Sequence, residues 1–135
     1  MTVAFCVDDR MGMMFCRKRQ SKDRLMRARL LSLCGGAPLY MNPYSGKMFT
    51  DEGEGPVAAR EDFLSAAGAG DTVFLEDVDP KKIVRPGDRV IVYRWNRHYP
   101  SDLKCTLDFT NRAPQSTFEF AGSSHEKITE EIYTW

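Results

Sequence analysis

Three observations predict an α/β fold: a single domain over residues 1–135, with a mixed, mostly parallel sheet flanked by helices. Apolar, β-branched runs alternate with amphipathic segments in the order strand, helix, strand, helix, strand, and antiparallel-looking strands follow. A strand–helix–strand crossover is right-handed and makes the strands it joins parallel. The chain of 135 residues is 42% hydrophobic, which is enough to bury one core.

The elements follow in order. Val3–Val7 is a short apolar run that predicts a buried strand, ending abruptly at Asp8-Asp9-Arg10. A loop is expected next, with Gly12 and the cluster Met11, Met13, Met14 and Phe15, read as core or loop packing, or as an adaptable surface if exposed. Ser21 is expected to cap a helix running to about Cys34. Met26, Leu30, Leu33 and Cys34 then form one apolar stripe, and Gly35-Gly36 stops the helix. Leu39-Tyr40-Met41 predicts a second strand, ending at Asn42-Pro43-Tyr44-Ser45, and residues 51–56 an acidic loop. A short helix around residues 60–67 turns Phe63, Leu64 and Ala67 inward and ends at Gly68. Thr72–Leu75 is a third strand, closed by Glu76-Asp77, and Pro86-Gly87 is a turn. Arg89–Trp95 carries two apolar phases and is expected at the centre of a sheet. Lys104–Phe109 alternates, with Cys105, Leu107 and Phe109 inward. Thr117–Ala121 reads as a strand. The tail has two readings: a helix started by the capping-box spacing of Ser123 and Glu126, or a strand closing a hairpin over residues 122–127, which is favoured.

Charge and cysteine usage bound the function. Lys plus Arg and Asp plus Glu are 19 each, so net charge alone does not hold this chain to nucleic acid. Neutrality hides an asymmetry: residues 1–34 carry eight bases and three acids, and residues 51–80 carry nine acids and one base. The simplest consequence is mutual attraction within a monomer or between subunits. No stretch approaches the roughly 20 apolar residues of a membrane span. The opening residues lack a basic region before an apolar run, so a cytoplasmic protein without membrane contact is expected. Four cysteines, at 6, 16, 34 and 105, form no Cys-x-x-Cys pair, and the histidines are His98 and His125. Neither a disulfide framework nor a structural zinc site is expected, and Cys6 and Cys105 are read as core thiols. A Cys–His catalytic pair across the fold stays open.

Several phrases resemble the dihydrofolate reductase family. Val3–Gly12 resembles its opening strand and Asp-x-x-Gly turn, and Asp23, at a helix start, the acid that binds the pterin. Gly36-Ala37-Pro38-Leu39-Tyr40-Met41 resembles its Gly-Lys-Pro-Val-x-Met strand. Asp71–Leu75, Asp88–Val92 and Phe118–Trp135 resemble two later strands and the final hairpin. The resemblance implies a shortened reductase-like outline. It does not imply the reductase cofactor. Where the family has Gly-Arg-Lys-Thr for the cofactor phosphate, this chain has Asn42-Pro43-Tyr44-Ser45. Where the family has a glycine pair against the pyrophosphate, it has Glu76-Asp77, which would repel a dinucleotide. The chain is also similar to small uncharacterised bacterial proteins labelled ribonuclease Z, through Cys-Val-Asp-Asp, Tyr-Met-Asn-Pro-Tyr-Ser and Tyr-Arg-Trp-Asn-Arg-His-Tyr-Pro. Two histidines cannot build the two-zinc site of such an enzyme, so the sequence does not support that label.

Ligands of open α/β sheets bind beyond the carboxyl ends of the strands. Those ends bring together Asp8, Asp9, Asn42, Tyr44, Ser45, Glu76 and Asp77. Asp8, Asp9, Glu76 and Asp77 could hold Mg²⁺ through oxygen, although acids after strands are ordinary turn and cap residues. Arg17, Lys18, Arg19 and Ser21 stand before a helix start, where a phosphate-bearing ligand or an RNA backbone would fit; a solvated loop paired with the 51–80 acids explains them as well. Asp23 is a substrate acid by resemblance and otherwise a helix-start acid. In Arg94–Pro100, aromatics interleave with arginine, and His98 is a candidate acid or base, while Trp95 and Tyr99 also suit closure of the core.

The reading favoured is a protein that binds a phosphate-bearing small ligand or a protein partner without redox catalysis and with no cofactor. Arg17, Arg19 and Ser21 would take the anion, and Asn42, Tyr44 and Ser45 would line the pocket. One rival is a metal-dependent enzyme acting on RNA or nucleotides, with Asp8 and Asp9 on the metal and His98 as base. Another is an interaction protein, such as an immunity or anti-defence factor, using the opposed charges.

Overall fold

The computed structural model describes residues 1–50 and 56–135. Most of the acidic loop expected at 51–56 therefore lies outside the described residues. In chain order the strands are β1 (Thr2–Val7), β2 (Gly12–Phe15), β3 (Lys18–Arg19), β4 (Leu39–Met41), β5 (Val57–Ala59), β6 (Thr72–Leu75), β7 (Arg89–Arg94), β8 (Leu103–Lys104), β9 (Ser116–Phe120) and β10 (Ile128–Thr134). The helices are α1 (Arg24–Leu33), α2 (Pro43–Thr50) and α3 (Phe63–Ala66), with a 3-10 turn at Pro80–Lys82. Among the described residues, seven strands form one sheet in the order β5-β4-β6-β1-β7-β10-β9, and β3-β2-β8 form a small second sheet.

The large sheet is parallel from β5 through β7 and antiparallel from β7 to β9. The first and second strands of the sequence reading, β1 and β4, point the same way, with β6 paired between them. Their carboxyl ends share one rim. Alternation splits the core into two layers. Val3, Phe5 and Val7 of β1 join Val73 and Leu75 of β6 and Val90 and Val92 of β7 on one face. Ala4, Phe74, Ile91 and Tyr93 face the other way, where Met26 and Leu30 of α1 and Met48 and Phe49 of α2 cover them. The first face is covered by Phe63 of α3, Met13 of β2 and the segment carrying Cys105.

Several expectations are corrected. Gly12–Phe15 is a strand and not a loop, since β2 pairs with β3; Met11 stays in the preceding turn, and the burial of Met13 and Met14 fits the core-packing reading. The β2–β3 connection is the two-residue turn Cys16-Arg17, both with positive φ (50° and 62°), a mirror-image turn made without glycine. Asp23, not Ser21, caps α1, because the Asp23 carboxylate accepts from the amides of Leu25 and Met26. The second strand stops before Asn42 as expected, and Asn42-Pro43-Tyr44-Ser45 also opens helix α2, an element not expected from the sequence. The Asn42 side chain accepts from the Ser45 amide at 2.8 Å, and Pro43 needs no partner at the first helical position. Lys104–Phe109 is not a strand beyond Lys104, although Cys105 is buried and Leu107 and Phe109 pack on the core. The alternation there records which side chains point inward and not a hydrogen-bonded ladder. The tail is the hairpin, β9 against β10. Gly35 has a positive φ of 60° and ends α1 as expected.

Candidate functional site

The rim at the carboxyl ends of β1, β4 and β6 is organised around Tyr44, which α2 holds half-exposed in its first turn. Three depressions meet at this ring. One, of about 420 Å³, is lined by Met14, Arg17, Tyr44, Asp77, Asp102 and Leu103. A second, of about 400 Å³, is lined by Lys18, Arg19, Ser21, Lys22 and Tyr44. The third, of about 380 Å³, includes Asn42, Tyr44, Phe63, Leu64 and Asp77. The structure thus brings Arg17, Arg19, Ser21, Asn42, Tyr44 and Asp77 to one rim.

An ion pair fixes this arrangement. The Arg19 guanidinium donates twice to Glu76, at 2.9 and 3.1 Å, and lies 4.2 Å over the Tyr44 ring. Its backbone amide donates to the Tyr44 hydroxyl at 3.1 Å. Ser45, fully buried, donates its hydroxyl to Glu76 at 2.6 Å. Glu76 is 8% exposed, so its charge is held by Arg19 and Ser45 and not presented to a ligand. The pair also joins the basic and acidic segments within one chain. Arg19 and Ser45 therefore build the wall, and Arg17, Lys18 and Lys22 are the exposed cations above it.

The acids proposed for a metal do not converge. Asp8 is 1% exposed and accepts from Arg10 N and Gly12 N on one oxygen and from Gln20 Nε2 and Tyr99 N on the other. Burial pushes its carboxyl up, but these donors outweigh it and hold it below the usual range. Asp8 is a loop anchor. Asp9 and Asp77 are exposed, and Glu76 is paired with Arg19. Among the described residues, no group of three or more His, Cys, Asp or Glu is placed to hold a metal ion. His98 is exposed on the loop after β7. Burial pushes the Cys105 thiol up to about 12, and that of Cys6 well above its ordinary value.

The feature missed in the sequence is His125. It lies buried in the β9–β10 loop, stacked on Trp95 with ring centroids 4.5 Å apart and planes 16° from parallel. Its Nδ1 is 3.1 Å from Asp23 Oδ2, and its Nε2 is 3.1 Å from both Ser21 Oγ and Tyr99 OH. Asp23 accepts also from the amides of Ser123 and Ser124 at 3.0 and 2.8 Å, so it caps the helix and the hairpin loop together. Burial alone would raise this carboxyl; the Ser124 and Ser123 amides, His125 and Met26 overcome that and hold it far below its ordinary range. Gly122 makes room for it: a Cβ there would collide with Asp23 Oδ2. The acid matched to pterin binding is thus occupied by the chain's own donors. The single signal in the sequence was the polar run Ser123-Ser124-His125, in which Ser124 Oγ lies 3.2 Å from His125 Nδ1 but Ser21, Asp23 and Tyr99 are far off along the chain.

Neither a protein-family model nor a curated protein matches this chain. Among the described residues, no helix is long and apolar enough to cross a membrane.

Proposed function

We propose that the protein binds a phosphate-bearing small molecule across the rim around Tyr44, without redox catalysis. The phosphate sits over Lys18, Arg19, Ser21 and Lys22, and the rest of the ligand lies along Tyr44 toward Met14 and Leu103. The observation that carries this reading is the adjoining pair of depressions, one lined by three cations and a hydroxyl, the other partly apolar, with Tyr44 as their common wall. The Cys16-Arg17 turn adds support. Two side-chain-bearing residues at positive φ cost roughly 1–2 kcal/mol each, and the strain places Arg17 at the lip.

A shortened dihydrofolate reductase-like outline belongs to the same reading. It is supported by the order of β1, α1, β4, β6, β7 and the closing hairpin. Redox use of that outline is disfavoured by the exposed Asp77 carboxylate after β6 and by side chains at Glu76 and Asp77 where the resemblance would require glycines.

Calorimetry with inorganic pyrophosphate, nucleoside monophosphates and an unphosphorylated pterin tests the proposal. Binding of the phosphate-bearing probes, about tenfold weaker in Lys18→Ala/Lys22→Ala and weaker in added salt, is the expected result. Equal binding by the double variant, or a preference for the pterin, would overturn it.

A further inference from the structure

We propose that Ser21, His125 and Asp23 form a working nucleophile, base and orienting carboxylate, and that Ser21 is acylated by esters carrying a negative charge. The three groups stand in line. Ser21 Oγ is 3.1 Å from His125 Nε2, and His125 Nδ1 is 3.1 Å from Asp23 Oδ2. The His125 and Asp23 side chains are 1% and 0% exposed, whereas Ser21 is half-buried and borders the open basic depression. The base and its orienting acid are thus screened from water, and the nucleophile faces the site from which a ligand arrives.

Chemistry assigns the protons. Asp23 accepts amide hydrogens from both sides and stays ionised, so it holds a proton on His125 Nδ1. The lone pair of Nε2 then points at the Ser21 hydroxyl. The stacked Trp95 ring keeps the imidazole plane from turning. A purely structural tie between α1 and the hairpin needs only Asp23, Ser123 and Ser124, which already join the two. Ser21 and Tyr99 bring two hydroxyls to the one outward nitrogen, and the tie does not require either. Tyr99 competes with Ser21 for that lone pair.

In the reaction, Ser21 Oγ forms a bond to the ester carbonyl carbon as its proton passes to His125 Nε2. The developing oxyanion lies near Lys18, Arg19 and Lys22, which line the same depression. The carbon–oxygen bond to the leaving alkoxide breaks, and the alkoxide takes the proton from His125. Water then attacks the acyl carbon and gives a proton to Nε2. The Ser21 ester bond breaks, and that proton returns to Ser21, so ester and water become acid and alcohol. The choice of an anionic ester rests on the basic depression of the proposed function; the reactivity of Ser21 does not.

A fluorophosphonate probe tests the nucleophile, since Ser21 Oγ displaces fluoride at phosphorus and keeps a mass tag. Expected is one adduct on Ser21 in the native chain, located by peptide mass spectrometry and absent from urea-unfolded protein. Labelling should fall at least tenfold in His125→Asn, if that variant folds by circular dichroism, and persist or rise in Tyr99→Phe. A native chain without an adduct on Ser21, or a folded His125→Asn that labels at the wild-type rate, would sink the inference; if His125→Asn does not fold, loss of labelling in Tyr99→Phe sinks it. A second arm compares p-nitrophenyl acetate with mono-p-nitrophenyl glutarate. Faster acylation by the anionic ester, reduced by salt, is expected. Preference for the neutral ester with Ser21 labelled overturns the anionic selectivity and the phosphate-site reading behind it. Pyrophosphate binding with no Ser21 adduct overturns the nucleophile and leaves that reading standing.

Discussion

The seven residues from Arg17 to Asp23 serve two regions that differ in nearly every physical respect. At one end, Asp23 is buried and saturated by donors from α1 and from the β9–β10 loop. At the other, Arg17 and Lys18 stand exposed beside open depressions, and Arg17 sits on a strained turn. The dry end has no oxygen to offer a ligand, and the wet end is held through its backbone pairing while its cationic side chains stay exposed. Ser21 lies between them, with its hydroxyl on His125 and its flank on the basic depression. The contrast teaches that the buried acid is spent on positioning, so that the exposed groups keep one geometry.

Substitutions separate the two ends, and the largest effect is expected at the dry one. Asp23→Ala leaves the amides of Leu25, Met26, Ser123 and Ser124 without their acceptor and His125 Nδ1 with only Ser124 Oγ at 3.2 Å, and should cost about 3–5 kcal/mol in urea unfolding. Gly122→Ala pushes a methyl group into the same carboxylate and should cost about 2–3 kcal/mol by the same measurement. Arg19→Ala, at the wall between the regions, strands Glu76 with only Ser45 and should cost about 2 kcal/mol. Arg19→Ala/Glu76→Gln should recover part of it, as a double-mutant cycle will read. At the wet end the sign reverses. Arg17→Gly relaxes a positive-φ residue and should stabilise the fold by about 0.5–1 kcal/mol, and it should weaken phosphate binding less than Lys18→Ala/Lys22→Ala does, because Arg17 lines the adjoining depression.

Acid gives the same contrast without mutation. The Asp23 carboxyl is depressed in the folded chain, so its contribution is fully present above the unfolded value of about 3.9 and is lost as pH falls through the folded one. Stability measured by thermal melts should therefore decline below about pH 4. A flat stability profile from pH 5 to pH 2 would remove Asp23 as the anchor.

Legibility followed the distance between partners. β6 and β7 were plain in the sequence because continuous apolar runs bury both faces, and the residues after β4 and β6 marked the rim. α2 was missed because Asn-Pro serves equally as a turn and as a helix start. The β2–β3 hairpin was missed because Cys16-Arg17 has none of the glycine that normally announces its turn. β5 is only three residues long and gains its ladder from β4. Of the site, the cations and Tyr44 were visible as a basic loop and a strand end. The pairing of Arg19 with Glu76 was not, since the two lie 57 positions apart. His125 was invisible for the same reason, being 102 positions from Asp23.

The central place of β1 has a consequence for how the chain folds. It pairs on one edge with Thr72–Leu75 and on the other with Arg89–Arg94. Both partners of β1 are distant in sequence, so its hydrogen-bonding edges stay bare until Thr72–Leu75 and Arg89–Arg94 are available to pair. Until then Val3, Phe5 and Val7 are exposed apolar surface of the kind a chaperone binds, and they are buried only once those pairings form.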